Sequence, residues 1–300
     1  MFPPFLIPAL VAYFLLALAG LLDKILLNTV IVSPRAYAFY IGALSLLAVV
    51  ILPFDVVSIP QATILLAALA SGLTGVYALW AFFGALKAHE ASRVITAVGA
   101  LVPIFTLLLG ILFLNEQWRF SQLLAFALLV LGGALVSYEE SVGRLYTPEL
   151  FNHAVRAAAL FAVSFTLLRF VFLSGAFFDG FFWTRMGNVL GALTIIVIPE
   201  NFRRILWATK KAPKKGFPFF LLNQVLGGAG AVLQNYSVFL GSAALVGALQ
   251  GVQYALLLLL VVLLSRYFPQ LKEEFSRRAV LQKGLAVVAI IVGLAVLAVE

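Results

Sequence analysis

Three polar side chains late in the chain, Gln250, Gln253 and Tyr254, stand at i, i+3 and i+4 within an otherwise apolar run. On a helix that spacing puts two carboxamides and a phenol on one face. Such a face donates and accepts hydrogen bonds and carries no charge. Asn223 and Gln234, three helical turns apart, form a second stripe with Gly227 and Ala231, and Asn235 and Tyr236 extend it. Phe181, Arg185 and Asn188, at i, i+4 and i+7, combine a ring, a fixed cation and an amide. A guanidinium so placed can grip a carboxylate or phosphate through two parallel hydrogen bonds; two turns from a helix start, it can equally reach lipid headgroups. Arg169 allows the same two readings, with Asp179 as a candidate partner. Tyr77 and Trp80, three apart, offer aromatic lining or plain packing.

Asp23 is the carboxylate with the best claim to membrane depth, because apolar residues follow it at Ile25–Leu27 and Val30–Val32. An acid there would bind and release a proton as its surroundings turn from wet to dry, coupling transport to a proton gradient. Paired with Lys24 it would instead mark a helix exit. Catalysis needs converging reactive groups, and the pattern supplies none. The chain has no cysteine, its only histidines, His89 and His153, fall in connections, and no metal-ligand spacing occurs in a span. We expect no enzyme, no cofactor and no metal.

The elements that must carry these residues follow from composition. Apolar residues make up 64% of the 300 and charged residues only 11%, where a soluble domain carries roughly a quarter. A bilayer core about 30 Å thick needs roughly 20 apolar residues per helix, and such runs recur along the whole chain. The pattern predicts an all-α integral membrane protein with about ten transmembrane helices, near 5–29, 35–53, 61–86, 91–114, 119–138, 154–174, 177–199, 217–240, 243–266 and 279–299. A polar linker over 139–153 separates residues 1–138 from 154–300, five helices in each. An odd number of spans per half turns the second copy upside down relative to the first, the inverted-repeat construction of secondary transporters. The spacings Gly187 to Gly191 and Gly247 to Gly251 read as sites of close helix approach.

Glu90-Ala91-Ser92-Arg93, running through Val102-Pro103-Ile104-Phe105 to Phe113-Leu114-Asn115-Glu116, resembles the fourth-helix signature of EamA-type members of the drug/metabolite transporter superfamily. Leu22-Asp23-Lys24, Leu222-Asn223-Gln224, Phe268-Pro269 and Leu281-Gln282-Lys283 are similar to one branch of that family. The resemblance implies two five-helix EamA-like repeats and transport of small solutes. Gln253-Tyr254 occupies the place of Val102-Pro103 in the second half, so no proline marks a kink in the ninth span.

The net charge of +8 falls in short connections, which points to lipid headgroups and topology rather than nucleic acid. All of the 20 Lys and Arg except Arg119, Arg169 and Arg185 lie in or beside the odd-numbered connections. The positive-inside rule then puts those loops in the cytoplasm and both termini outside the cytoplasmic membrane; the family resemblance implies the reverse. The expected partners are the bilayer and a small-molecule substrate. The sequence favours a carrier of an amino acid or similar polar solute, and leaves open a flippase-like carrier of a phosphate-bearing lipid or a non-transporting receptor or scaffold. It does not decide the oligomeric state.

Overall fold

The computed structural model describes residues 3–27, 33–54, 56–89, 91–138, 147–211, 217–264 and 277–299, with side chains for all of these except 23–27, 91–92, 208–211, 217–221 and 277. Every regular element among the described residues is helical: α1 (Leu6–Leu27), α2 (Pro34–Leu44) continued by a 3₁₀ segment (Ser45–Phe54), α3 (Ala62–Ala88), α4 (Ala91–Leu114), α5 (Phe120–Ser137), α6 (Pro148–Leu173), α7 (Phe177–Val197), α8 (Pro199–Lys211), α9 (Phe217–Leu240), α10 (Ala243–Ala248), α11 (Gln250–Leu264) and α12 (Arg277–Val299). Eight segments are long and apolar enough to cross a bilayer. The helices α1 and α9, of 22 and 24 residues, stand at the places of the other two expected spans.

Four departures from the expected boundaries have physical causes. The sixth span begins at Pro148, inside the stretch read as linker: Thr147 accepts a hydrogen bond from the Leu150 amide at 3.2 Å, proline occupies the first turn, and Glu149 faces the positive helix end. The second span tightens into a 3₁₀ helix at Ser45 and keeps that form for 10 residues, longer than is usual for this geometry. The ninth span breaks at Leu249, between α10 and α11, without a proline. Finally, the loop after α7 contains α8, whose Asn201 and Ile205 are buried while Phe202, Arg203, Arg204, Leu206 and Trp207 are exposed. That division, with cations beside exposed apolar side chains, is the pattern of helices suited to a membrane interface. Asn201 ties it down by donating to the Ile195 carbonyl of α7 at 3.1 Å.

The helix tips alternate between two faces. Phe5, Glu116, Arg169 and Ser242 gather on the face where α1 begins, as do Ser58 and Asp179. His89 meets His153 and Arg35 meets Glu200 on the opposite, basic face. Between these faces the helix pairings follow an exchange of halves: α1 packs on α9 as α6 packs on α3, α1 on α11 as α6 on α4, while α2 pairs with α7 and α5 with α12. Small residues allow the closest of these contacts. At the crossing of α3 and α7, a Cβ on Gly72 would overlap the Thr184 carbonyl, and one on Gly187 the Leu69 carbonyl. Gly251 lies against Gly133 of α5 in the same manner.

Candidate functional site

Tyr13 of α1 organises the first polar centre. Its hydroxyl donates to the Val246 carbonyl at 2.5 Å, and its ring is 1% exposed. Val246 sits in the last turn of α10, where the chain leaves helical geometry and the final carbonyls lack intrahelical donors. Tyr13 therefore supplies a hydrogen bond that the break in the ninth span removes. Gln234 of α9 donates to the same phenol at 3.2 Å. Across the break, Gln250 hydrogen-bonds Tyr254, whose ring lies near Tyr13 and whose hydroxyl sits over Gly99 of α4, where a Cβ would come within 2.8 Å of it. Gln253 reaches the Leu16 carbonyl of α1 at 3.4 Å. Five helices thus converge on two phenols and three carboxamides.

This arrangement gives the α9 stripe a different role from a cavity lining. Gln234 turns to Tyr13, Gly227 faces Ala19, and Gly230 faces Ala12 and Leu16, so the stripe is laid against α1. Asn223 and Asn235 are buried. Tyr236 points elsewhere, stacking on Phe239 at 6.1 Å and meeting Phe177 edge-on at 5.2 Å.

The second centre lies on α2, α3 and α7. The Asn188 amide is oriented by its neighbours. Its nitrogen donates to the Gly72 carbonyl at 2.9 Å, and its oxygen accepts from Arg185 Nη1 at 3.3 Å and from Ser45 Oγ at 3.0 Å. Ser45 is the residue at which α2 becomes 3₁₀. The Arg185 guanidinium lies 4.9 Å from the Phe181 ring centroid. Asn188 and Ser164 of α6 both face Gly75 of α3, and Ser164 exchanges hydroxyl-to-carbonyl hydrogen bonds of 2.8 Å with Ser71 of α3. Tyr77 bonds the Thr194 hydroxyl of α7 at 3.0 Å, and Trp80 lies beneath the Arg35 guanidinium at 5.7 Å. The expected lining is therefore divided between two centres.

Arg169 belongs to neither centre. It lies at the face where α1 begins, with Nη1 donating to the Val238 and Phe239 carbonyls at 2.8 and 2.9 Å and Nε 3.7 Å from Glu116. Ser242 donates to the second Glu116 oxygen at 2.9 Å. The partner of Arg169 is thus Glu116 and not Asp179, which instead accepts from the Ser58 amide and hydroxyl at 2.6 and 2.8 Å. A cavity of about 330 Å³ opens beside this cluster, between Pro4, Trp118, Gln122 and Leu245. Asp23 falls within α1, but its side chain lies outside the described residues.

Tyr13 and Glu116 are the residues that the sequence left out of the site. Tyr13 is a lone hydroxyl in an apolar run, and its acceptor is a backbone carbonyl 233 residues away. Glu116 was visible as the end of a helix; nothing in the chain order links it to Arg169.

Apolar spans, paired among the described residues by exchange of halves around buried polar centres, define a multi-pass helical membrane protein. Residues 4–138 match the model of the EamA-like transporter family. Among solved structures, one crystal structure of a protein is similar over 97% of this chain and 94% of its own, with a TM-score of 0.66 and 17% identity, which carries the fold alone. A search of curated proteins finds no match.

Proposed function

We propose that the chain is a secondary carrier that moves an amino acid or similar small polar solute across the cytoplasmic membrane by alternating access. The carrying observation is a break in the exchange of halves. By that exchange, α7 packed along α3 should be matched by α2 packed along α9. The first pairing is extensive, whereas among the described residues α2 and α9 make no contact of similar extent. A carrier closed on one face makes one set of contacts and leaves its mirror set unmade, and the cycle interchanges them. The closed face here is the one sealed by Arg169, Glu116 and Ser242. By the charge rule it faces outward, and the basic face lies in the cytoplasm.

On this reading residues 147–299 form the second EamA-like repeat. The break at Leu249 is a hinge, with Gln250, Gln253 and Tyr254 on its moving side, and Asp23 is the proton-coupling acid. Counterflow of radiolabelled amino acids in proteoliposomes tests the reading. Uptake accelerated by unlabelled solute inside supports a carrier; uptake with no such acceleration counts against alternating access. A flippase-like carrier of a phosphate-bearing lipid is the second reading. Its supporting observation is that α9 leaves α7 beyond their contact at Phe177, with Val225, Gly228 and Val232 of α9 uncovered. A fluorescent-lipid translocation assay in the same vesicles separates the two.

A further inference from the structure

Arg185 is the ninth residue of the 21 in α7, so its Cα lies about 12 Å along the helix from Phe177. It is held inside the bundle. The guanidinium rests against the Phe181 ring, and one N–H is directed to Asn188. The other well-buried arginine, Arg169, has a carboxylate partner in Glu116. Arg185 has none among the described residues, and Asn188 is its only polar side-chain partner there. A guanidinium carries five donors in a fixed plane. One is used here, and the aromatic ring holds that plane in place. A cation kept at membrane depth without a counter-charge is costly, which makes it a functional site by default.

From this geometry, and resting on the carrier reading above, we infer that Arg185 receives the anionic group of the transported solute, a carboxylate or phosphate. The remaining N–H groups form the planar fork that such anions accept bidentately. Asn188 fixes the fork from one side, and its own bonds to Gly72 and Ser45 join the anion site to the α3–α7 crossing and to the 3₁₀ turn of the second span. Binding there would be felt by both helices.

The same chemistry could be met by a lipid headgroup, and the test separates the two sources. Proteoliposomes containing wild type, Arg185→Lys or Arg185→Gln are assayed by solid-supported membrane electrophysiology and counterflow. The panel comprises the standard amino acids, their decarboxylated amines and inorganic phosphate, in phosphatidylcholine with and without phosphatidylglycerol. The expected result is wild-type transport of at least one carboxylate or phosphate compound with little for the matching amine. In Arg185→Gln the KM should rise about thirtyfold or more, with Arg185→Lys intermediate. Equal transport of acid and amine by wild type overturns the inference, and that comparison stands even where Arg185→Gln does not fold. An unchanged KM in Arg185→Gln, with loss of thermal stability confined to phosphatidylglycerol vesicles, assigns Arg185 to headgroups and also overturns it. Either result leaves the carrier reading intact. If wild type moves no panel compound and no lipid analogue, the carrier reading fails and the inference falls with it.

Discussion

Arg169 and Glu116, 53 positions apart in sequence and in opposite halves, form an ion pair of 3.7 Å with side chains only 15% and 14% exposed. Arg169 simultaneously holds the last carbonyls of α9. One guanidinium thus fastens the end of α9 to the end of α4. Arg169→Gln leaves a nearly buried carboxylate unpaired and frees two carbonyls, and should cost about 3 kcal/mol of stability. Glu116→Gln keeps an acceptor for Ser242 and should cost less, about 1 kcal/mol. Because the natural chain has no cysteine, a single Gln117→Cys reporter beside the pair is clean. Its reaction with a soluble maleimide should be faster in the Arg169→Gln background. An unchanged rate would show that the pair does not hold this face shut.

Tyr13 supplies the hydrogen bond lost where α10 ends. Tyr13→Phe keeps the ring and removes only the hydroxyl, which leaves the Val246 carbonyl without its donor and Gln234 without its acceptor. The expected cost is about 1–2 kcal/mol, at the upper end for a polar contact in a membrane bundle. Gln234→Leu removes one donor and leaves the Val246 bond in place, so its effect should be smaller. Thermal unfolding of the detergent-solubilised variants ranks them; a Gln234→Leu loss exceeding that of Tyr13→Phe would contradict the assignment.

Glycines at the helix crossings behave differently from those on open faces. Gly72→Ala places a methyl group on the Thr184 backbone and should lose at least about 2 kcal/mol, or force α3 and α7 apart. Gly228→Ala meets nothing within 4 Å and should be neutral or raise stability by up to about 1 kcal/mol through helix propensity. Comparing the two melting temperatures tests the crossing directly.

How much of this was legible in the chain depends on the range of the signal. The spans were readable because hydropathy accumulates over about 20 consecutive residues and tolerates local errors. Thr147-Pro148-Glu149 carried a helix-start signal that its polar surroundings disguised as linker. The helix α8 was hidden by its own charge: Arg203, Arg204, Lys210 and Lys211 read as loop, although Phe202, Ile205 and Leu206 recur at helical spacing. The ninth span breaks at Leu249, where neither proline nor glycine stands, because Tyr13 on another helix makes the break tolerable. The polar stripes were found, but not their directions. Gln234 and Gln253 both turn to α1, and only the packing of α9 and α11 against that helix decides it.

Orientation is the prediction on which the direction of every other step depends. Arg203, Arg204, Lys210 and Lys211 belong to one interfacial helix, and Lys214 and Lys215 follow it closely, so moving this segment across the membrane would carry six cations through the hydrocarbon core. Its attachment points agree with a fixed surface position: Glu200 contacts Arg204 at 2.7 Å and Arg35 at 3.6 Å, which binds α8 to the start of α2. A Lys211→Cys reporter should therefore resist an impermeant maleimide in intact cells and react after permeabilisation. A cysteine in place of Gln117, on the opposite face, should show the reverse order. Labelling of Lys211→Cys in intact cells would invert the topology, place the Arg169–Glu116 pair at the cytoplasmic face, and leave the geometry of the pair unchanged.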